Sequence, residues 1–138
     1  MDRILLIDDN PAILSMLQQH LLLRARRSEI HCAVDRGEAE ALIGSYTYSL
    51  VIADLALDKY SLEGLAIIRH LHYLPLRPRI IVFTGCVTPE LEAEARREGA
   101  DAVVSKGSSL AGLTRLIDQL MSCELAEVSV QQSAPSAL

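Results

Sequence analysis

Residues 4–7 (ILLI), 50–53 (LVIA) and 80–83 (IIVF) are apolar without a break. A strand with one face in water alternates apolar and polar residues, so unbroken runs of this length suit strands covered on both faces, as in a parallel sheet. The strands read from them are residues 3–8, 48–54 and 79–85. Each is followed by apolar residues at helical spacing. Leu14, Leu17 and Leu21 come after Pro11, a residue suited to the first helical position; Leu65, Ile68 and Leu71 come in residues 61–74; Leu91 and Ala95 come after Thr88 and Pro89, a cap and a first-turn proline. Two further units complete the series: IHCAV (30–34) before RGEAEALIGSY, stopping near Gly44, and DAVVSK (101–106) before SSLAGLTRLIDQLM. Five strand–helix units in strict alternation specify an α/β fold with helices on both faces of a parallel sheet.

The length of 138 residues suits a single domain. With four Tyr, one Phe and no Trp, its core is aliphatic. The net charge of -5 argues against nucleic acid as a direct partner, and the basic RARR at 24–27 reads as a solvated helix end. Cys32, Cys86 and Cys123 are odd in number and have no close spacing, against a disulfide framework or a zinc site. No apolar run reaches membrane length, and Asp8 and Asp9 interrupt the first one too early for a signal peptide, so the expected location is cytoplasmic. Residues 1–121 form the expected domain, and 122–138 a polar, disordered tail.

In a parallel sheet all carboxyl ends point to one edge, where open α/β sheets bind ligands. Here those ends carry Asp8 and Asp9, Asp54, Thr84 and Lys106. Each has an ordinary explanation singly: helix caps for the aspartates, a turn for Thr84, a surface amine for Lys106. Their joint placement favours a site. Carboxylates without His or Cys suit Mg²⁺ or Mn²⁺. An Asp beside such a cation can attack phosphorus, with a lysine and a hydroxyl on the phosphoryl oxygens.

The segments ILLIDDNP, YSLVIADLAL, IIVFTG and GADAVVSKG, in that order, resemble the receiver domain of bacterial two-component response regulators over about residues 2–121. The resemblance implies a doubly wound (βα)5 flavodoxin-like three-layer sandwich with strand order 2-1-3-4-5. It implies a phosphoacceptor at Asp54, assisted by Thr84 and Lys106. Mg²⁺, with Mn²⁺ as substitute, would be held by Asp9, Asp54, the Ala56 carbonyl and, through water, Asp8. The donor would be a sensor histidine kinase or a histidine phosphotransfer protein. The response would be a changed surface for a downstream protein or for self-association through the fourth helix, fifth strand and fifth helix. Such a domain is not an enzyme in the ordinary sense, although it catalyses its own phosphorylation and dephosphorylation.

Three positions depart from the family pattern. Asp58 stands where a proline is usual, and Gly64 lies two residues later than the usual glycine, so the segment after Asp54 is longer; Asp58 and Lys59 within it read as solvated loop residues. Val103 replaces an aromatic residue that normally swings inward behind the threonine. Gly107 replaces the proline after the lysine, so Lys106 must be held by other means. An alternative therefore stands beside the first reading: a receiver-like protein-interaction module that acts without phosphorylation. A small metal-dependent phosphatase would need a further acid–base carboxylate and a cap, and neither is visible. His20, His31, His70 and His72 read as structural or solvated. No output domain is visible after residue 121, which fits either a stand-alone receiver or a piece of a longer regulator.

Overall fold

The computed structural model describes residues 2–24, 28–55, 63–85, 87–107 and 110–121. The expected tail, 122–138, and the segment 56–62 with Asp58 and Lys59 lie outside them. The chain divides into two compact units, residues 1–106 and 107–138.

The first unit runs β1 (Arg3–Ile7), α1 (Pro11–Arg24), β2 (Glu29–Ala33), α2 (Arg36–Ser45), β3 (Leu50–Ala53), α3 (Glu63–His72), β4 (Arg79–Thr84), α4 (Pro89–Glu98) and β5 (Ala102–Ser105). The strands form one parallel sheet of order β2-β1-β3-β4-β5. This is the strand order of the doubly wound flavodoxin-like fold, whose ligand crevice lies where strands leave the centre in opposite directions, here between β1 and β3. In the second unit residues 110–121 are helical, and the Thr114 hydroxyl donates to the Leu110 carbonyl at 2.9 Å.

Burial follows the apolar runs. Every residue of β3 is buried, as are Ile4 to Ile7 of β1 and Ile80 to Thr84 of β4. One face of the sheet, with Leu5, Ile7, Val51, Ala53, Ile80 and Val82, shares a core with Ala39 and Ile43 of α2, Leu65, Ile67, Ile68 and Leu71 of α3, and Ala95 of α4. α1 lies on β1 from the other side, burying Leu14, Leu17 and Leu21.

Most element ends shift by a residue or two from the sequence reading. β2 begins at Glu29 rather than Ile30, and it ends before Val34 because Asp35 caps α2, accepting the Glu38 N–H at 2.8 Å. α2 passes through Gly44 to Ser45, whose hydroxyl donates to the Ala41 carbonyl at 2.9 Å. α4 begins as read: the Thr88 hydroxyl accepts the Leu91 N–H at 3.1 Å and Pro89 is first in the helix; Gly99 closes it at φ 128°. None of the described helices is long and apolar enough to cross a membrane.

Candidate phosphoacceptor site

The parallel ladder continues one residue past the ends of β1 and β3. The Asp8 N–H donates to the Ala33 carbonyl at 3.1 Å, and the Asp54 N–H to the Ile7 carbonyl at 2.9 Å. Both aspartates thus stand on backbone fixed by the sheet. Asp8 is 2% exposed, Asp54 5% and Thr84 4%, whereas Asp9 is exposed. Ligand atoms of Asp8, Asp9 and Asp54 lie within 4.8 Å of one another.

Lys106 reaches into this cluster. Its Nζ lies 2.7 Å from Asp8 Oδ2 and 2.9 Å from Asp54 Oδ2, bridging the two buried carboxylates. The Lys106 N–H donates to the Thr84 carbonyl at 2.8 Å, which extends the β4–β5 pairing beyond Ser105. That bond is the other means by which Lys106 is held with Gly107 after it, and the described residues contain no cis peptide bond. The Thr84 hydroxyl is buried beside Asp54's strand and has no hydrogen-bond partner among the described residues.

Burial raises the Asp8 carboxyl above its ordinary value, with the Lys106 hydrogen bond and the Asn10 N–H opposing. For Lys106 burial works against the charge, yet the hydrogen bonds to Asp8 and Asp54 outweigh it and the ammonium is held above its ordinary value. The site therefore keeps a firm cation among three carboxylates. One ammonium does not neutralise three such groups, and the donors are all hard oxygens, so the cluster can coordinate a divalent cation.

The structure brings together five of the residues read from the sequence: Asp8, Asp9, Asp54, Thr84 and Lys106. Ala56, read as a carbonyl ligand, lies outside the described residues. Val103 pairs with Val82 and packs, partly buried, against the core shared with α3 and α4. Two contacts were missed. Asn10 donates its N–H to Asp8 Oδ1 at 2.9 Å and accepts the Ala12 N–H on Oδ1 at 3.0 Å, tying the acidic pair to the start of α1. Its place before a first-turn proline was a usable signal. Gly64, read from the sequence only as the displaced family glycine, packs on the backbone of Asp54 and Leu55.

The family model of the response regulator receiver domain matches residues 4–118. The chain belongs to this family. Receiver domains are phosphoacceptor signalling modules that work by phosphotransfer dependent on a divalent metal. They catalyse their own phosphorylation and dephosphorylation rather than turning over a substrate. This receiver domain is 31% identical over 121 residues to a gliding motility regulatory protein of Myxococcus xanthus, covering 86% of this chain and 15% of that protein's length. Among solved structures it is similar to a response regulator of Burkholderia pseudomallei with a phosphorylated aspartic acid, calcium ion and citrate. That likeness has 27% identity, TM-score 0.74, and coverage of 95% of this chain and 75% of that one. A receiver domain protein of Methanospirillum hungatei JF-1 matches at 28% identity and TM-score 0.75, over 91% of this chain and 98% of that one. The receiver domain of a DNA-binding response regulator from Colwellia psychrerythraea 34H shares the fold at TM-score 0.80 and 23% identity, over 88% of this chain and 99% of that one.

Proposed function

We propose that Asp54 is the phosphoacceptor and that a histidine kinase or histidine phosphotransfer protein supplies the phosphoryl group. The observation that carries this reading is the Lys106 ammonium held between the buried carboxylates of Asp8 and Asp54 at 2.7 and 2.9 Å. An Asp54 carboxylate oxygen attacks phosphorus in line with the leaving imidazole. The P–O bond forms as the P–N bond breaks, its electron pair goes to the ring nitrogen, and the imidazole leaves neutral when its other nitrogen is protonated.

Lys106 is placed to follow the transferred group, exchanging part of its pairing with Asp54 for a phosphoryl oxygen. Thr84 has a hydroxyl hydrogen to donate to another of these oxygens. Asp9, Asp54 and the Ala56 carbonyl, with Asp8 through water, would hold Mg²⁺, which when bound neutralises charge on the transferring group. The Burkholderia relative, with its phosphorylated aspartic acid and calcium ion, supports the same assignment.

Incubation with acetyl phosphate and Mg²⁺, followed by phosphopeptide mapping, tests the acceptor. Label is expected on Asp54 and is expected to vanish in Asp54→Asn while the unfolding transition stays cooperative. Label persisting on another residue of that variant would show that the acceptor has been misassigned.

A further inference from the structure

Gly64 is the second residue of α3 and is buried. A Cβ built on it would collide with the Asp54 carbonyl oxygen, and would fall 2.5 Å from Leu55 Cα and 2.7 Å from the Leu55 carbonyl oxygen. These are backbone atoms, which cannot rotate aside as a side chain does. The Gly64 N–H also donates to the Leu55 carbonyl at 3.1 Å, so the start of α3 is satisfied by the residue next to Asp54.

Neither partner in this contact is free to retreat. Behind Gly64, α3 is anchored by Leu65, Ile67, Ile68 and Leu71 in the core. Behind Asp54, the backbone is bonded to Ile7 of β1. We propose that Gly64 is a positioning residue for phosphotransfer: its missing side chain lets α3 seat on the Asp54–Leu55 peptide and fixes where the Asp54 carboxylate stands relative to Asp8, Asp9 and Lys106. The inference rests on Asp54 being the acceptor. It goes beyond that reading by assigning the acceptor's placement to a helix start that packs on the backbone of Asp54 and Leu55.

A side chain at position 64 must push the acceptor's own peptide, and displacements on the scale of an ångström cost reactions about a hundredfold. The contrast is Gly44 in α2, where an added Cβ meets nothing within 4 Å.

The test compares wild type, Gly64→Ala and Gly44→Ala by acetyl phosphate labelling, which needs no docking partner, and by Mg²⁺ titration followed through amide shifts. Gly64→Ala is expected to slow labelling of Asp54 about tenfold to a hundredfold and to weaken Mg²⁺ about tenfold, while unfolding cooperatively. Gly44→Ala is expected to match wild type in both. A folded Gly64→Ala with wild-type labelling and Mg²⁺ affinity overturns the proposal and leaves Asp54 as acceptor untouched. Should Gly64→Ala not fold, hydrogen exchange of the wild type decides. Mg²⁺ must then slow exchange of the Gly64 amide by a larger factor than that of the Tyr46 amide, bonded to Leu42 at the end of α2, and equal factors overturn the proposal. An unaltered Gly64 amide in protein that binds Mg²⁺ overturns the proposal. A wild type that neither labels on Asp54 nor binds Mg²⁺ overturns both this inference and the site reading.

Discussion

Tyr48 is 5% exposed and its hydroxyl lies 2.7 Å from His31 Nδ1; His31 Nε2 lies 2.9 Å from Glu29 Oε1, and Glu29 Oε2 accepts from Arg3 Nε at 3.0 Å. This chain of polar contacts joins the starts of β1, β2 and β3 at the edge of the sheet away from the acidic cluster. It gives His31 a structural role, as its sequence context suggested. Burial pushes the Tyr48 hydroxyl up to about 12, with the charge of Arg3 opposing. In the unfolded chain a tyrosine ionises near pH 10. The unfolded state therefore loses this proton first on the way up. Tyr48's contribution to stability is complete below about pH 10 and is lost as pH rises toward 12. Following tyrosinate absorbance of the folded protein should show a component that titrates well after the unfolded reference. In Tyr48→Phe that late component should be gone, with about 1 kcal/mol lost at neutral pH from the missing hydrogen bond. A late component that survives the substitution would assign the high value to another tyrosine.

At the scale of elements, α4 shows what a sequence can specify locally. Thr88, Pro89 and Gly99 mark its two ends, and each does so by chemistry confined to neighbouring residues. Gly99 has φ 128°, a region that side-chain-bearing residues rarely enter, and an added Cβ would come within 2.8 Å of His72 Cβ. Gly99→Ala should therefore destabilise the fold by about 1–3 kcal/mol, read as a lower urea midpoint at unchanged slope. A midpoint equal to wild type would mean that the α3–α4 contact relaxes without cost. The central strands were equally legible, because residues buried on both faces must be apolar at every position. β2 was not legible to the residue: it is an edge strand, half-buried through residues 29–32, and its pattern is weak. The cluster of Asp8, Asp9, Asp54, Thr84 and Lys106 could be read because a parallel sheet sends every strand end to one edge. Gly64 was legible only as the displaced family glycine, since its contact depends on which backbone it meets. Lys106's double pairing was likewise hidden, being a matter of distances between strand ends.

For the molecule as a whole, the acidic cluster is a cost carried for function. Three carboxylates with ligand atoms within 4.8 Å of one another face one ammonium, in a chain of net charge -5. Their repulsion favours the unfolded state, where they separate. A divalent cation that binds only the folded state adds RT ln(1 + [L]/Kd), about 1.4 kcal/mol at ten times its dissociation constant. Asp9 is the member to alter, because it is exposed and its carboxylate can be neutralised without opening a buried gap. Asp9→Asn should melt higher than wild type when metal is chelated, by about 1 kcal/mol of relieved repulsion. The same variant should lose most of the increment that wild type gains on adding Mg²⁺. The two melting curves should therefore cross in order as Mg²⁺ is raised: variant above wild type without metal, wild type above variant with it. Thermal unfolding of both proteins across a Mg²⁺ series, at constant ionic strength to hold general screening fixed, measures this directly. Equal Mg²⁺ increments in the two proteins would place the cation away from Asp9 and refute the ligand set.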